Sequence, residues 1–232
     1  MPLETEGLLS PAEFQKFSTF RFAKRRNEWL LGRWAAKALA HSLPAYQQYT
    51  LNQIEIHNAP QGAPHIQLPD GMTPEDCLTI SHSDASALCA LATGPDVRIG
   101  ADLEKIDART ETFVLDYFTP AECQLVKVYS DETRAVVVTL IWSLKESMLK
   151  ALGVGLRWDT RAVEVSGLQD SLSENDGMGG WQSIQVAEAK ASERVWMGWW
   201  QRRDPFILTL AGFAATQAEM QSVRLVEKQI GR

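Results

Sequence analysis

The tetrad Ser10-Pro11-Ala12-Glu13 returns 109 residues later as Thr119-Pro120-Ala121-Glu122. In each copy a hydroxyl residue stands at a helix N-cap and proline follows at the first helical position, where its missing N–H costs nothing. The glutamate three residues on closes a capping box. Glutamine follows both copies at the same offset, as Gln15 and Gln124, and each copy precedes a longer helical stretch, 24–40 in the first half and 140–152 in the second. Lys37-Ala38-Leu39 answers Lys150-Ala151-Leu152 at a separation of 113 residues, which supplies a second repeated marker. Short runs rich in β-formers follow each long helix: 53–56, 78–80 and 87–92, then 162–165, 183–186, 194–200 and 206–212. A chain built this way is expected to fold as α+β, a pseudo-dimer of two similar α+β halves spanning 1–96 and 97–232, with its seam at Gly94-Pro95-Asp96. Residues 169–180, with Ser-Glu-Asn-Asp-Gly and a glycine pair, read as an exposed loop.

Charge and composition narrow the function. A net charge of −6 argues against a nucleic-acid protein, whose affinity comes mainly from neutralising phosphates with Lys and Arg. No apolar run approaches the roughly 20 residues that cross a membrane, and the first residues carry no basic-then-apolar signal pattern. The expected setting is the cytoplasm, with no membrane partner. Cys77, Cys89 and Cys123 lack metal-type spacing and read as reduced thiols filling core space. With no Ser/His/Asp arrangement, no Gly-rich nucleotide loop and no Cys/His zinc spacing, acyl-transfer, Walker-type and zinc chemistry have no support.

Three polar groupings carry chemistry. On helix 140–152, Leu140, Ile141, Leu144, Met148, Ala151 and Leu152 form one apolar stripe, while Glu146 lies opposite with Trp142 and Lys150 a turn to either side. An indole is a poor choice for a face meant only for water, so this face is expected to look into a cleft or across an interface. Glu146 and Lys150 alone would be an i,i+4 pair worth about 0.2–0.5 kcal/mol. In the strand-like run 97–104, Asp102 and Glu104 point the same way at a polar, exposed strand end. Two like charges side by side call for a cation between them, and oxygen-only donors suit Mg²⁺ or Mn²⁺, with Glu146 as a third ligand. Ser81-His82-Ser83 offers donors suited to phosphate oxygens just after a strand. Arg26, Arg33 and Lys37 share one line of helix 24–40, a stripe that reads either as solvated or as a phosphate site.

The ordered set Gly62-Ala63-Pro64, Ile80-Ser-His-Ser83, Ile99-Gly-Ala-Asp-Leu-Glu104, Phe118-Thr-Pro-Ala-Glu122 and Trp142-Ser-Leu-Lys-Glu-Ser-Met-Leu-Lys150 with Gly153-Val-Gly-Leu156 resembles the Sfp-type 4′-phosphopantetheinyl transferases. The resemblance implies transfer of the phosphopantetheine arm of coenzyme A to a serine of an apo acyl or peptidyl carrier protein, releasing 3′,5′-ADP. It implies Asp102, Glu104 and Glu146 as magnesium ligands and Lys150 as a phosphate contact. Ser81, His82 and Arg33 are implied on the coenzyme A side, where Arg25, Arg26 or His65 would compensate for a charge missing at Ala63, with Glu146 and Lys150 as the catalytic pair. Ala63 departs from the pattern, standing where a lysine or arginine is usual. A coenzyme A or carrier-binding module without turnover, and a magnesium-dependent phosphoesterase, are the rival readings. Two halves of one chain that already form the cleft predict a monomer.

Overall fold

The computed structural model describes residues 5–168, 178, 180–190 and 193–222. Most of the expected loop at 169–180 therefore lies outside the described residues. The chain divides into two compact units, one running to Pro95 and the other beginning at Asp96. Each is α+β.

In the first unit, helices α1 (Pro11–Ser18) and α2 (Ala23–His41) accompany two antiparallel hairpins, β1–β2 (Glu55–Asn58, Pro64–Gln67) and β3–β4 (Cys77–Ser83, Ser86–Ala92). Ala36 and Ala40 of α2 pack with Ile56, Ile66 and Leu78 of the strands as the core. β3 and β4 are joined by Asp84 and Ala85 alone, with φ of 43° and 61°. Positive φ at both positions matches the right-handed twist of a hairpin, but it places the Cβ of Ala85 in a region that glycine or asparagine tolerates far better.

The second unit is a five-stranded antiparallel sheet ordered β5-β9-β8-β7-β6 (β5 Val97–Lys105, β6 Val163–Ser166, β7 Gln182–Glu188, β8 Val195–Arg203, β9 Phe206–Ala214). Helices α3 (Glu111–Tyr117), α4 (Pro120–Val126), α5 (Asp131–Ala151) and α6 (Gln217–Ser222) complete it. The long α5 lies on β5 and β9, and its Leu140, Ile141, Leu144, Met148 and Leu149 are fully buried. One glycine decides how closely the helix lies. A Cβ on Gly100 would stand 1.9 Å from the carbonyl oxygen of Ser147, so strand and helix backbones meet there with no side chain between them. Among the described residues, no helix is long and apolar enough to cross a membrane.

Both expected helix starts form, each with a complete capping box. The glutamates then do more than the sequence suggests. Glu13 accepts from Ser10 N (3.0 Å) and Ile56 N (3.1 Å), and it pairs with the fully buried Lys37. Glu122 accepts from Thr119 N (2.8 Å) and Val165 N (2.8 Å), and it pairs with the fully buried Lys145 at 2.8 Å. One carboxylate thus ties a helix start, a long helix and the first strand after that helix in each unit. Burial pushes Glu122 up and Lys145 down, both toward neutrality, and each charge opposes the shift of the other. The repeat therefore aligns Lys37 with Lys145, and not with Lys150 as the Lys-Ala-Leu marker suggested. Nor is the Arg26, Arg33 and Lys37 line a single solvated or phosphate-facing stripe: Lys37 has no exposed surface, Arg33 is 8% exposed and Arg26 is exposed.

Candidate active site

β5 and α5 assemble the polar centre of the second unit. Asp102 is 2% exposed, so it is not the exposed strand-end carboxylate that its polar neighbours suggested. Its Oδ2 accepts from Ser143 Oγ at 2.8 Å, and its Oδ1 accepts from Lys150 Nζ at 2.6 Å. Lys150 also donates to the Ala101 carbonyl at 3.1 Å and lies 3.8 Å from Glu146 Oε2. Thr209, paired with Asp102 across β5 and β9, has its Oγ1 2.8 Å from both Ser143 Oγ and Ser147 Oγ. Ser143 and Ser147 are one turn apart, so both reach the sheet from the same line of α5. Buried hydroxyls and a charge survive here because each has a partner.

Glu104 points the same way from β5 at a more open position. Burial raises its pKa and the Asp102 charge adds to this, while Arg109 and a hydrogen bond from the Trp142 side chain pull the other way. The nearest Arg109 nitrogen, Nη2, is 3.4 Å from Glu104 Oε2. Trp142 is only 8% exposed, edge-on to Phe113 and Tyr117 with ring centroids 5.0 and 5.2 Å away. An indole that orients a carboxylate explains its place on the polar face better than one looking into a cleft. Glu146 is pushed up to about 7, first by burial and then by the charge of Asp102. A divalent cation held by the same carboxylates would lower it again.

Asp102, Glu104, Glu146 and Lys150 are thus brought into one electrostatic cluster. Asp102 and Glu104 both raise Glu146, the mark of an oxygen donor set short of positive charge. Its chemistry fits a hard divalent cation. Among the described residues, however, no group of three or more His, Cys, Asp or Glu side chains is arranged as a finished metal cage, and the Lys150 ammonium sits on Asp102.

The remaining sequence-derived residues belong to the first unit. Arg33 Nη2 donates to Asn58 Oδ1 at 3.0 Å, and its guanidinium carbon lies 4.7 Å from the Trp29 ring centroid. Asn58 Nδ2 in turn donates to the Gly62 carbonyl at 2.8 Å, so Arg33 reaches the Gly62-Ala63-Pro64 turn through Asn58. Arg26 stacks at 5.6 Å on Phe17. Ser81 is buried, and His82 Nδ1 is 4.0 Å from Glu28 Oε2. Sequence reasoning missed Ser143, Ser147, Thr209 and Arg109. The two serines were legible as an i,i+4 polar pair inside an apolar helix, whereas Thr209 and Arg109 carry no local signal.

Comparison with known proteins follows the same residues. The family model of the 4′-phosphopantetheinyl transferase superfamily matches residues 98–198, which include Asp102, Glu104, Glu146 and Lys150. Through these residues the chain is similar to that superfamily. The chain is 26% identical over 178 residues to the L-aminoadipate-semialdehyde dehydrogenase-phosphopantetheinyl transferase of Mus musculus, covering 71% of this chain and 56% of the mouse protein. It is 28% identical over 151 residues to the 4′-phosphopantetheinyl transferase HetI of Nostoc, with 64% and 61% covered. The 4′-phosphopantetheinyl transferase Sfp of Bacillus subtilis is 27% identical over 150 residues, with 65% and 62% covered. The match thus spans less than two thirds of each of these relatives.

Proposed function

We propose that this chain is a 4′-phosphopantetheinyl transferase, moving the phosphopantetheine arm of coenzyme A onto a serine of an apo acyl or peptidyl carrier protein. The observation that carries the reading is the placement of Glu146 one helical turn from Lys150, 3.8 Å from its ammonium, and beside Asp102 and Glu104. Asp102, Glu104 and Glu146 would hold the divalent cation, Mg²⁺ or Mn²⁺, whose charge offsets that of the pyrophosphate as its bond breaks. Glu146 accepts the proton of the attacking serine hydroxyl. The serine oxygen bonds to the pantetheine-bearing phosphorus, the bond from that phosphorus to the bridging oxygen breaks, and 3′,5′-ADP leaves. Lys150 stabilises the phosphate charge on the way. Asp102 is the fixed point of the group, because Ser143 and Lys150 hold both of its oxygens.

In the first unit, Ser81, His82 and Arg26 are proposed as coenzyme A contacts. Arg33 is assigned to the Gly62 turn through Asn58, in place of a direct contact. The chain is proposed to work as a cytoplasmic monomer, with neither nucleic acid nor membrane as partner. Incubation with coenzyme A, Mg²⁺ and a panel of apo carrier proteins, read by intact mass, tests the activity. The phosphopantetheine adduct on a carrier is the expected product. Hydrolysis of coenzyme A with no adduct on any carrier would refute the reading.

A further inference from the structure

Arg109 lies just before the N-cap of α3, at the end of the segment that leads there from β5, and four observations set it apart. Its Nη2 lies 3.4 Å from Glu104 Oε2, long for a charge-assisted bond, and this is the one hydrogen bond its side chain makes among the described residues. Its Nε is buried with no hydrogen-bond partner among the described residues. Its guanidinium carbon sits 5.2 Å from the Phe113 ring centroid, and Phe113 packs edge-on against Trp142 at 5.0 Å. Arg134 Nη1 donates to its carbonyl at 3.3 Å while Arg134 Nη2 reaches Glu111 at 2.7 Å, which fixes the backbone that carries it.

A guanidinium has five N–H donors in a planar fork. Here one is weakly used, one is buried and orphaned, and the whole group is anchored by its backbone and braced by an aromatic ring. A structural counter-ion would close on its carboxylate with two short bonds, as Arg161 does with Asp159 at 2.8 and 3.0 Å. Arg109 instead keeps donors in reserve beside a carboxylate cluster. What completes such a fork is an oxyanion with two adjacent oxygens.

We infer that Arg109 is a second phosphate-binding cation of this site, taking phosphate oxygens of the coenzyme A diphosphate beside Lys150. The inference rests on the transferase reading and adds to it a residue the sequence motifs did not single out. Arg109 thereby becomes a binding residue in its own right, in addition to its long contact with Glu104.

Isothermal titration with coenzyme A, with and without Mg²⁺, on the full chain and its Arg109→Gln and Arg109→Lys variants tests this. Arg109→Gln is expected to weaken coenzyme A binding about tenfold in both conditions, the order expected for a lost charge-assisted bond, with the loss shrinking as salt rises. Arg109→Lys keeps the charge without the fork and is expected to fall between the two. If Arg109 only positions Glu104, binding without Mg²⁺ stays at the wild-type level and the half-saturating Mg²⁺ concentration rises. That result overturns the inference while leaving the transferase reading intact. Wild-type protein that binds no coenzyme A overturns both. Should Arg109→Gln fail to give a wild-type circular dichroism spectrum, Arg109→Lys decides, and unchanged binding by that variant rejects the inference.

Discussion

Replacing Gly100 by alanine tests whether backbone contact between β5 and α5 sets the site. The new methyl carbon would stand 1.9 Å from Ser147 O and 2.7 Å from Ala151 N, both main-chain atoms that cannot swing aside as a side chain would. Ordinary contact begins near 3.4 Å, so strand and helix must part by about 1.5 Å over this stretch. Overpacking a tight interior costs about 1–3 kcal/mol, and with main chain on both sides the upper end applies. For a chain of this size about 3 kcal/mol lowers the melting temperature by about 6–12 °C. The same movement draws Lys150 and Ser143 away from Asp102, now at 2.6 and 2.8 Å, and a misplacement of about 1 Å costs on the order of 100-fold in rate. Gly32→Ala is the control. Its methyl would meet only the Ile80 Cγ2 side-chain atom at 3.1 Å, and alanine gains up to about 1 kcal/mol of helix propensity in α2. Thermal melts and carrier-modification rates of the two variants should therefore diverge sharply. A Gly100→Ala protein melting within about 2 °C of wild type would show that the helix does not rest on the strand backbone.

Glu122→Gln leaves the fully buried Lys145 ammonium without its carboxylate and should cost about 3–5 kcal/mol in denaturant unfolding, whereas the double change with Lys145→Met should recover much of the loss. A single variant as stable as wild type would reject the tie. Ala85→Gly relieves a side chain at φ 61° and should stabilise by about 0.5–1 kcal/mol despite the added freedom of the unfolded chain; destabilisation would contradict the turn geometry. Because Glu146 is raised to about 7 in the folded, metal-free protein, its contribution to stability is fully present below its ordinary value of 4.5 and is lost as pH rises through 7. Glu146→Gln should therefore gain on wild type across that window by on the order of 3 kcal/mol, levelling off above it, and a pH-independent difference would refute the shift.

What was legible in the sequence is what local rules determine. Ser10-Pro-Ala-Glu13 and Thr119-Pro-Ala-Glu122 start helices where the capping rule puts them, and the spacing of Asp102 and Glu104 places both on one side of β5. The misread residues depend on distant chain. A helical wheel treats Lys37 as an outward charge, because its partner Glu13 lies 24 residues away and contributes nothing to the local pattern. Asp102 looked exposed because Thr209, which backs its surroundings, arrives only with the last strand of the sheet. Arg109 is placed by the chain's turn away from β5 and by Arg134, and neither has a motif.

The paired glutamate ties also give two positions at which the halves of the chain can be compared. Counting from Lys37 and Lys145, the position of Glu146 is held by Ala38 in the first unit, and that of Lys150 by Ser42. If the halves descend from one ancestral segment, both copies kept the buried tie that each needs in order to fold, while the glutamate and lysine assigned to chemistry stand in one copy alone. Tracing that descent in related chains should therefore follow Glu13 and Glu122, since folding constrains them in both copies whatever each has come to bind.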